Sequence, residues 1–177
     1  GGGYYVDLLS RRVGPTGKVW AHNTPFVLKR FAEPRIAARL ENPALSNVAR
    51  LDTELEDPKV PADLDAVMIV IFYHDLYWQE VDRAAMNTAI FEALAPGGVF
   101  GVIDHSAAKG HGSDDVKTLH RVEESIVVSE ITAAGFVLEE STDILRNPDD
   151  KLDYNVFDPP DGRDKTDRFV LRFRKPR

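Results

Sequence analysis

Cysteine is absent from the 177 residues, and with it every disulfide and every thiolate metal site. The redox compartment stays open, because proteins of either environment can lack cysteine. Long hydrophobic runs are missing too. None approaches the roughly 20 apolar residues of a membrane-spanning helix, so no membrane partner is expected. Positive charge is in deficit, with 22 Lys and Arg against 29 Asp and Glu and a net charge of −7. An acidic domain repels phosphate backbones unless it gathers a basic patch. The one such group, Arg172, Arg174, Lys175 and Arg177, reads as a solvated strand end, so no nucleic-acid partner is expected. Neither a phosphate-binding Gly-Lys-Ser/Thr loop nor a nucleophile elbow occurs. No internal repeat or low-complexity tract stands out. The cytoplasm is the expected compartment, with an upstream signal peptide left open.

What is present suits one domain over residues 1–177, since 43% hydrophobic residues can fill a core at this length. Strand-like and helix-like segments alternate, the pattern of an α/β fold with a parallel sheet. A helix is predicted over residues 4–13, with Leu8, Leu9 and Val13 as its apolar stripe, stopped by Gly14-Pro15-Thr16-Gly17. Residues 18–22 and 47–51 read as short strands. Residues 26–40 read as helical, with a break at Pro34. The run Ala66-Val67-Met68-Ile69-Val70-Ile71-Phe72 within residues 64–72 is continuously apolar and rich in β-branched side chains, as in a strand covered on both faces. A helix over 79–94, ended by Pro96-Gly97-Gly98, leads to a strand over 99–103. One long helix is predicted over 116–134, stopped by Gly135, with Ser113 or Asp114 as its cap. Strands over 136–145 and 168–173 follow, separated by an Asp- and Pro-rich connection over 147–167. A connection of that length suggests a functional role.

Three groups of residues can carry chemistry. Gly1-Gly2-Gly3 stands before a helix, where glycine lets backbone approach a ligand closely and Gly2 is expected to take a positive φ. Phe72-Tyr73-His74-Asp75 and Asp104-His105-Ser106 end two apolar strands. In an open parallel sheet ligands bind beyond such carboxyl ends, so the two His-Asp pairs are expected to converge. His74 or His105 then suits a general base, its tautomer fixed by a carboxylate such as Asp104. The same types could hold a divalent metal, or the Asp residues could simply cap the next turn; no metal is assigned. Tyr73, Tyr77 and Trp78 form either one wall of a site or part of the core. His111 and His120 read as surface residues, the second within the long helix.

Gly1-Gly2-Gly3-Tyr4-Tyr5, the turn through Val13 to Val19, and Leu94-Ala95-Pro96-Gly97-Gly98-Val99-Phe100 resemble class I S-adenosylmethionine-dependent methyltransferases. The likeness covers essentially the whole chain. Phe72-Tyr73-His74-Asp75, Val102-Ile103-Asp104-His105-Ser106 and Lys165-Thr166-Asp167-Arg168-Phe169 resemble more closely a little-characterised bacterial group of predicted methyltransferases. The resemblance implies a three-layer, Rossmann-like α/β sheet, mostly parallel with an antiparallel final strand. It implies S-adenosylmethionine as cofactor, contacted by Gly1, Gly2, Gly3, Tyr4, Asn23, Asp52, Thr53, Glu54 and Tyr73. Catalysis falls to His74, Asp104 and His105, acting on a small-molecule nucleophile.

The sequence departs from the family in two places. Asn23 stands where an acidic residue usually holds the ribose; an amide can still bind a hydroxyl, without the strength of a charge-assisted bond. The family's first, central strand is expected upstream of Gly1. Two rival functions remain: a non-catalytic module that binds the same cofactor, and a nicotinamide-dependent oxidoreductase, which the Pro-Gly-Gly turn and the antiparallel final pair disfavour.

Overall fold

The computed structural model describes residues 1–160 and 165–177. Residues 161–164 of the long connection lie outside them. The chain forms two compact units, Gly1–Val60 and Pro61–Arg177.

In the first unit α1 (Tyr4–Val13) leads to β1 (Val19–His22), which pairs in parallel with β2 (Val48–Leu51). Gly14, at φ 73°, ends α1 with its N–H on the Ser10 carbonyl. Asn47 then clips the turn in place, its Nδ2 reaching the carbonyls of Ser10, Gly14 and Gly17 at 3.0–3.3 Å. The expected apolar stripe of α1 is not a buried one: Leu8 and Val13 are exposed, and only Ser10 is buried. The break at Pro34 takes a particular form. Between α2 (Pro25–Val27) and α3 (Glu33–Leu40) the chain widens into a π-helical stretch, Leu28–Ala32, and Pro34 sits in the first turn of α3, where its missing N–H costs nothing. Val19, Ala21, Val27, Ala32, Ile36, Leu45 and Leu55 are the buried core of this unit.

The second unit is a four-stranded sheet in the order β3 (Leu64–Val70), β4 (Leu94–His105), β6 (Arg168–Arg174), β5 (Val137–Thr142). β3 and β4 are parallel, and β6 runs antiparallel to both β4 and β5. Phe100, Phe136 and Phe173 are buried together, with ring centroids 5.4–6.3 Å apart. Each such ring contributes about 1.5–3 kcal/mol by burial. α5 (Arg83–Ala93) and α7 (Glu124–Ala133) pack on each other and on the sheet.

Five details differ from the sequence expectation. β3 is the edge strand of its sheet, and Asp65, Ala66 and Met68 are exposed, so its apolar run is not covered on both faces. Pro96-Gly97-Gly98 lies inside β4 as an irregularity of register between Leu64↔Leu94 and Ala66↔Val99, with Gly97 at φ 82°. The helix expected over 79–94 is the shorter α5, capped by Asp82, and an unexpected helix, α4 (Tyr73–Trp78), precedes it just after β3. The helix expected over 116–134 is two. α6 (Val116–Leu119) is one turn, His120 takes a left-handed φ of 55°, and α7 starts at Glu124. Asp115, rather than Ser113 or Asp114, stands at the start of α6, bonded to His111 at 2.8 Å. Among the described residues no helix is long and apolar enough to cross a membrane.

Candidate active site

Ile71, at φ 51°, turns the chain sharply out of β3, and Tyr73, His74 and Asp75 fall in the first turn of α4. Because β3 and β4 are parallel neighbours, with Val70 opposite Ile103, this turn lies beside the end of β4. Alternation along β4 puts Phe100, Val102 and Asp104 on one buried face. Asp104 therefore meets α4 with no exposed surface, and it is fully used. Its Oδ2 accepts the His74 backbone N–H at 2.7 Å, and its Oδ1 accepts His74 Nδ1–H at 2.7 Å and the His105 N–H at 2.8 Å.

Those bonds fix the His74 imidazole. With Nδ1 donating to Asp104, Nε2 carries the lone pair, and Nε2 is buried without a hydrogen-bond partner. Burial disfavours the charged ring, but the charge and hydrogen bond of Asp104, with the charge of Asp75, outweigh it and raise the His74 pKa above its ordinary value. His105 behaves oppositely. Burial, only partly offset by Asp104, pushes it down to about 4, so it is neutral at physiological pH.

Two residues complete the cluster. Asp75 Oδ1 lies 3.4 Å from His74 Nε2 and 3.6 Å from His120 Nδ1. The His74 ring has His105 and His120 at 5.9 and 5.6 Å between centroids, and Phe157 of the long connection stands edge-on to His120 at 4.7 Å. Burial and the neighbouring His74 lower the His120 pKa, while burial raises that of Asp75. His120 is delivered by its left-handed break, which a helix-period reading of residues 116–134 conceals. Next to it, Arg121 is fully buried. It binds the Ser106 and Tyr154 carbonyls and the buried Asp150 carboxylate at 3.0–3.3 Å, tying the long connection to the end of β4.

Tyr73 is part of the core. Its ring has no exposed surface, and its hydroxyl sits between Glu130 Oε2 and Asn87 Nδ2 at 3.0 Å each, beside Arg83 stacked on Tyr77. Trp78 is exposed.

In the first unit Gly3 needs to be glycine. It holds φ 80° at the start of α1, and a Cβ there would meet Ile36 Cδ1 at 2.7 Å. The positive φ expected of Gly2 belongs to Gly3; Gly2 gives its carbonyl to Arg39 Nε at 2.8 Å. Gly1 and Tyr4 are exposed. Asn23 is buried and accepts a bond from the Gly1 nitrogen, so its carbonyl holds the glycine segment. Asp52 is paired with Arg50, which also grips Glu33 in a two-pronged contact. Thr53 binds His22 Nε2 and the Pro58 carbonyl, and Glu54 is exposed.

No protein-family model matches the sequence, and no curated protein matches it. Solved structures do match. A SAM-dependent methyltransferase from Aquifex aeolicus aligns at a TM-score of 0.70 and 17% identity over 99% of this chain and 78% of its own. The [4+2]-cyclase SpnF aligns at 0.73 and 14% over 99% and 72%. A SAM-dependent methyltransferase from Mesorhizobium loti aligns at 0.64 and 15% over 98% and 87%. The chain thus has the Rossmann-like α/β fold of SAM-dependent methyltransferases. SpnF, a cyclase on that fold, illustrates that the fold by itself does not name the reaction.

Proposed function

We propose that this protein transfers a methyl group from S-adenosylmethionine to a small-molecule nucleophile. The observation that carries the reading is His74, held by Asp104 so that a partnerless Nε2 lone pair is offered at the end of β3 and β4. Such an atom draws an acceptor toward its deprotonated, nucleophilic form. His105 is too weakly basic for that role. Residues 1–3, Tyr4, Asn23 and residues 52–54 of the first unit are assigned to the cofactor, with Gly3 setting the backbone path and Asn23 holding it. The sulfonium is intrinsically reactive, so the protein's share is alignment, exclusion of water and activation of the acceptor. Matches to methyltransferases over nearly the whole chain support the cofactor.

The test is release of S-adenosylhomocysteine in the presence of panels of small hydroxyl, amine and carbon acids. His74→Ala should lower the rate by about 10²–10⁴-fold, the usual contribution of such a group, while S-adenosylmethionine affinity changes little. Full activity in the variant contradicts the assignment.

A further inference from the structure

We propose that His74 Nε2, Asp75 Oδ1 and His120 Nδ1 form a binding site for one divalent transition-metal ion of the zinc and cobalt class. The inference rests on the methyl-transfer reading above and changes one role in it: with an ion bound, the His74 lone pair is a ligand, and the ion rather than the imidazole activates the acceptor. All three ligand atoms lie within 4.8 Å of one another. The two measured edges, 3.4 and 3.6 Å, are too long for good hydrogen bonds. They match the separation of about 3.3 Å between neighbouring ligands set tetrahedrally about 2.0–2.1 Å from an ion.

Two further observations point to a ligand. His74 has 1% side-chain exposure, yet its Nε2 has no hydrogen-bond partner; the same is true of His120 Nδ1. Two adjacent imidazole nitrogens face one carboxylate at ion-pair range, and neither has a hydrogen bond of good geometry. A proton serves only one of them; a cation serves both. Asp104, meanwhile, binds His74 on the far nitrogen, the carboxylate–histidine arrangement that orients a metal-binding ring and strengthens its basicity. An ion can reach the place, because Asp75 and His120 keep 27% and 20% of their side-chain surface exposed.

The donor set decides the class of ion. Two imidazoles and one carboxylate suit zinc, cobalt, manganese or ferrous iron, whereas magnesium and calcium favour all-oxygen shells. Three protein ligands also leave coordination positions open, the pattern of catalytic rather than structural sites. An acceptor hydroxyl at an open position would give up its proton to solvent more readily. Its oxygen would then form the new C–O bond as the methyl–sulfur bond breaks and S-adenosylhomocysteine leaves.

The experiment uses the untagged full chain, stripped with a chelator and titrated with cobalt alone, followed by visible ligand-field absorption and calorimetry. One equivalent should bind, zinc should displace it, and magnesium should not. Asp75→Asn and His120→Ala, checked for folding by circular dichroism, should each weaken cobalt binding at least about 100-fold, more than loss of an outer hydrogen bond does. In the unsubstituted chain, zinc should shift the ¹⁵N resonances of His74 Nε2 and His120 Nδ1. Substoichiometric binding, equal affinity in both variants, or unmoved imidazole resonances overturn the site. S-adenosylmethionine binding is measured in parallel. Its failure with cobalt binding intact contradicts the methyltransferase reading and leaves the metal site standing; the reverse result does the opposite.

Discussion

Replacing Asp104 tests the centre of the site most sharply, because its three hydrogen bonds make graded demands on each substitute. Alanine removes both acceptor oxygens and leaves the His74 N–H, the His105 N–H and His74 Nδ1–H facing a buried void. At about 1–3 kcal/mol for each unsatisfied buried donor, with some relaxation, the loss should be about 3–5 kcal/mol. Against a typical stability of about 5–15 kcal/mol the variant should still fold. Asparagine is milder. Its amide group can replace Oδ2 and spare Oδ1, so that His74 Nδ1–H and the His105 N–H keep their acceptor and only the His74 N–H loses one. The cost should then be about 1–3 kcal/mol. Urea unfolding gives the energies. Long-range ¹⁵N–¹H correlation at about pH 9, well above the ordinary imidazole range, gives the tautomer. His74 should be Nδ1–H in the native protein and in Asp104→Asn, and a mixture in Asp104→Ala. Equal losses in the two variants, or an Nε2–H tautomer in the native protein, refute the assigned hydrogen bonds and the free Nε2 lone pair with them.

The remaining predictions concern the supports of the two units. Gly3→Ala should destabilise the first unit by about 1–3 kcal/mol, because φ 80° and the 2.7 Å approach of Ile36 both oppose a Cβ; thermal melting checks it, and an unchanged midpoint contradicts it. Arg121→Ala should cost about 3–5 kcal/mol and expose the long connection to limited proteolysis, since it leaves Asp150 buried without its cation. Burial raises the Asp150 pKa, but the N–H groups of Asp167 and Leu152 and the charge of Arg121 outweigh it and leave it lowered. A depressed carboxylate stabilises above its unfolded pKa and loses that as pH falls through its folded one. The stability gap between native protein and Asp150→Asn should therefore be present at neutral pH and close below about pH 4; a gap that widens in acid reverses the sign.

Much of the fold was legible because periodicity and turn chemistry agree. The glycine and proline punctuation around residues 14–17 and 34 marked real boundaries, and Asp104 and His74 met because strands 64–72 and 99–103 pair as parallel neighbours. What stayed hidden depends on single residues in unusual backbone. His120 was read inside one long helix, and nothing in a helical pattern announces that one residue turns left-handed and swings its ring toward Asp75. Nothing in the pattern marks Arg121 beside it for burial, which depends on Asp150, 29 residues away. Tyr73 had an aromatic's usual ambiguity, settled only by the Glu130–Asn87 pair on its hydroxyl. The weak signal available was histidine itself at a position next to an arginine that interrupts the apolar period.

Calorimetric titration of the protein with S-adenosylmethionine, S-adenosylhomocysteine and NAD tests the central claim most directly. The account predicts binding of one equivalent of either sulfur ligand and none of NAD, with affinity weakened in Gly3→Ala and retained in His74→Ala. Binding of NAD alone, or of neither sulfur ligand, would contradict it.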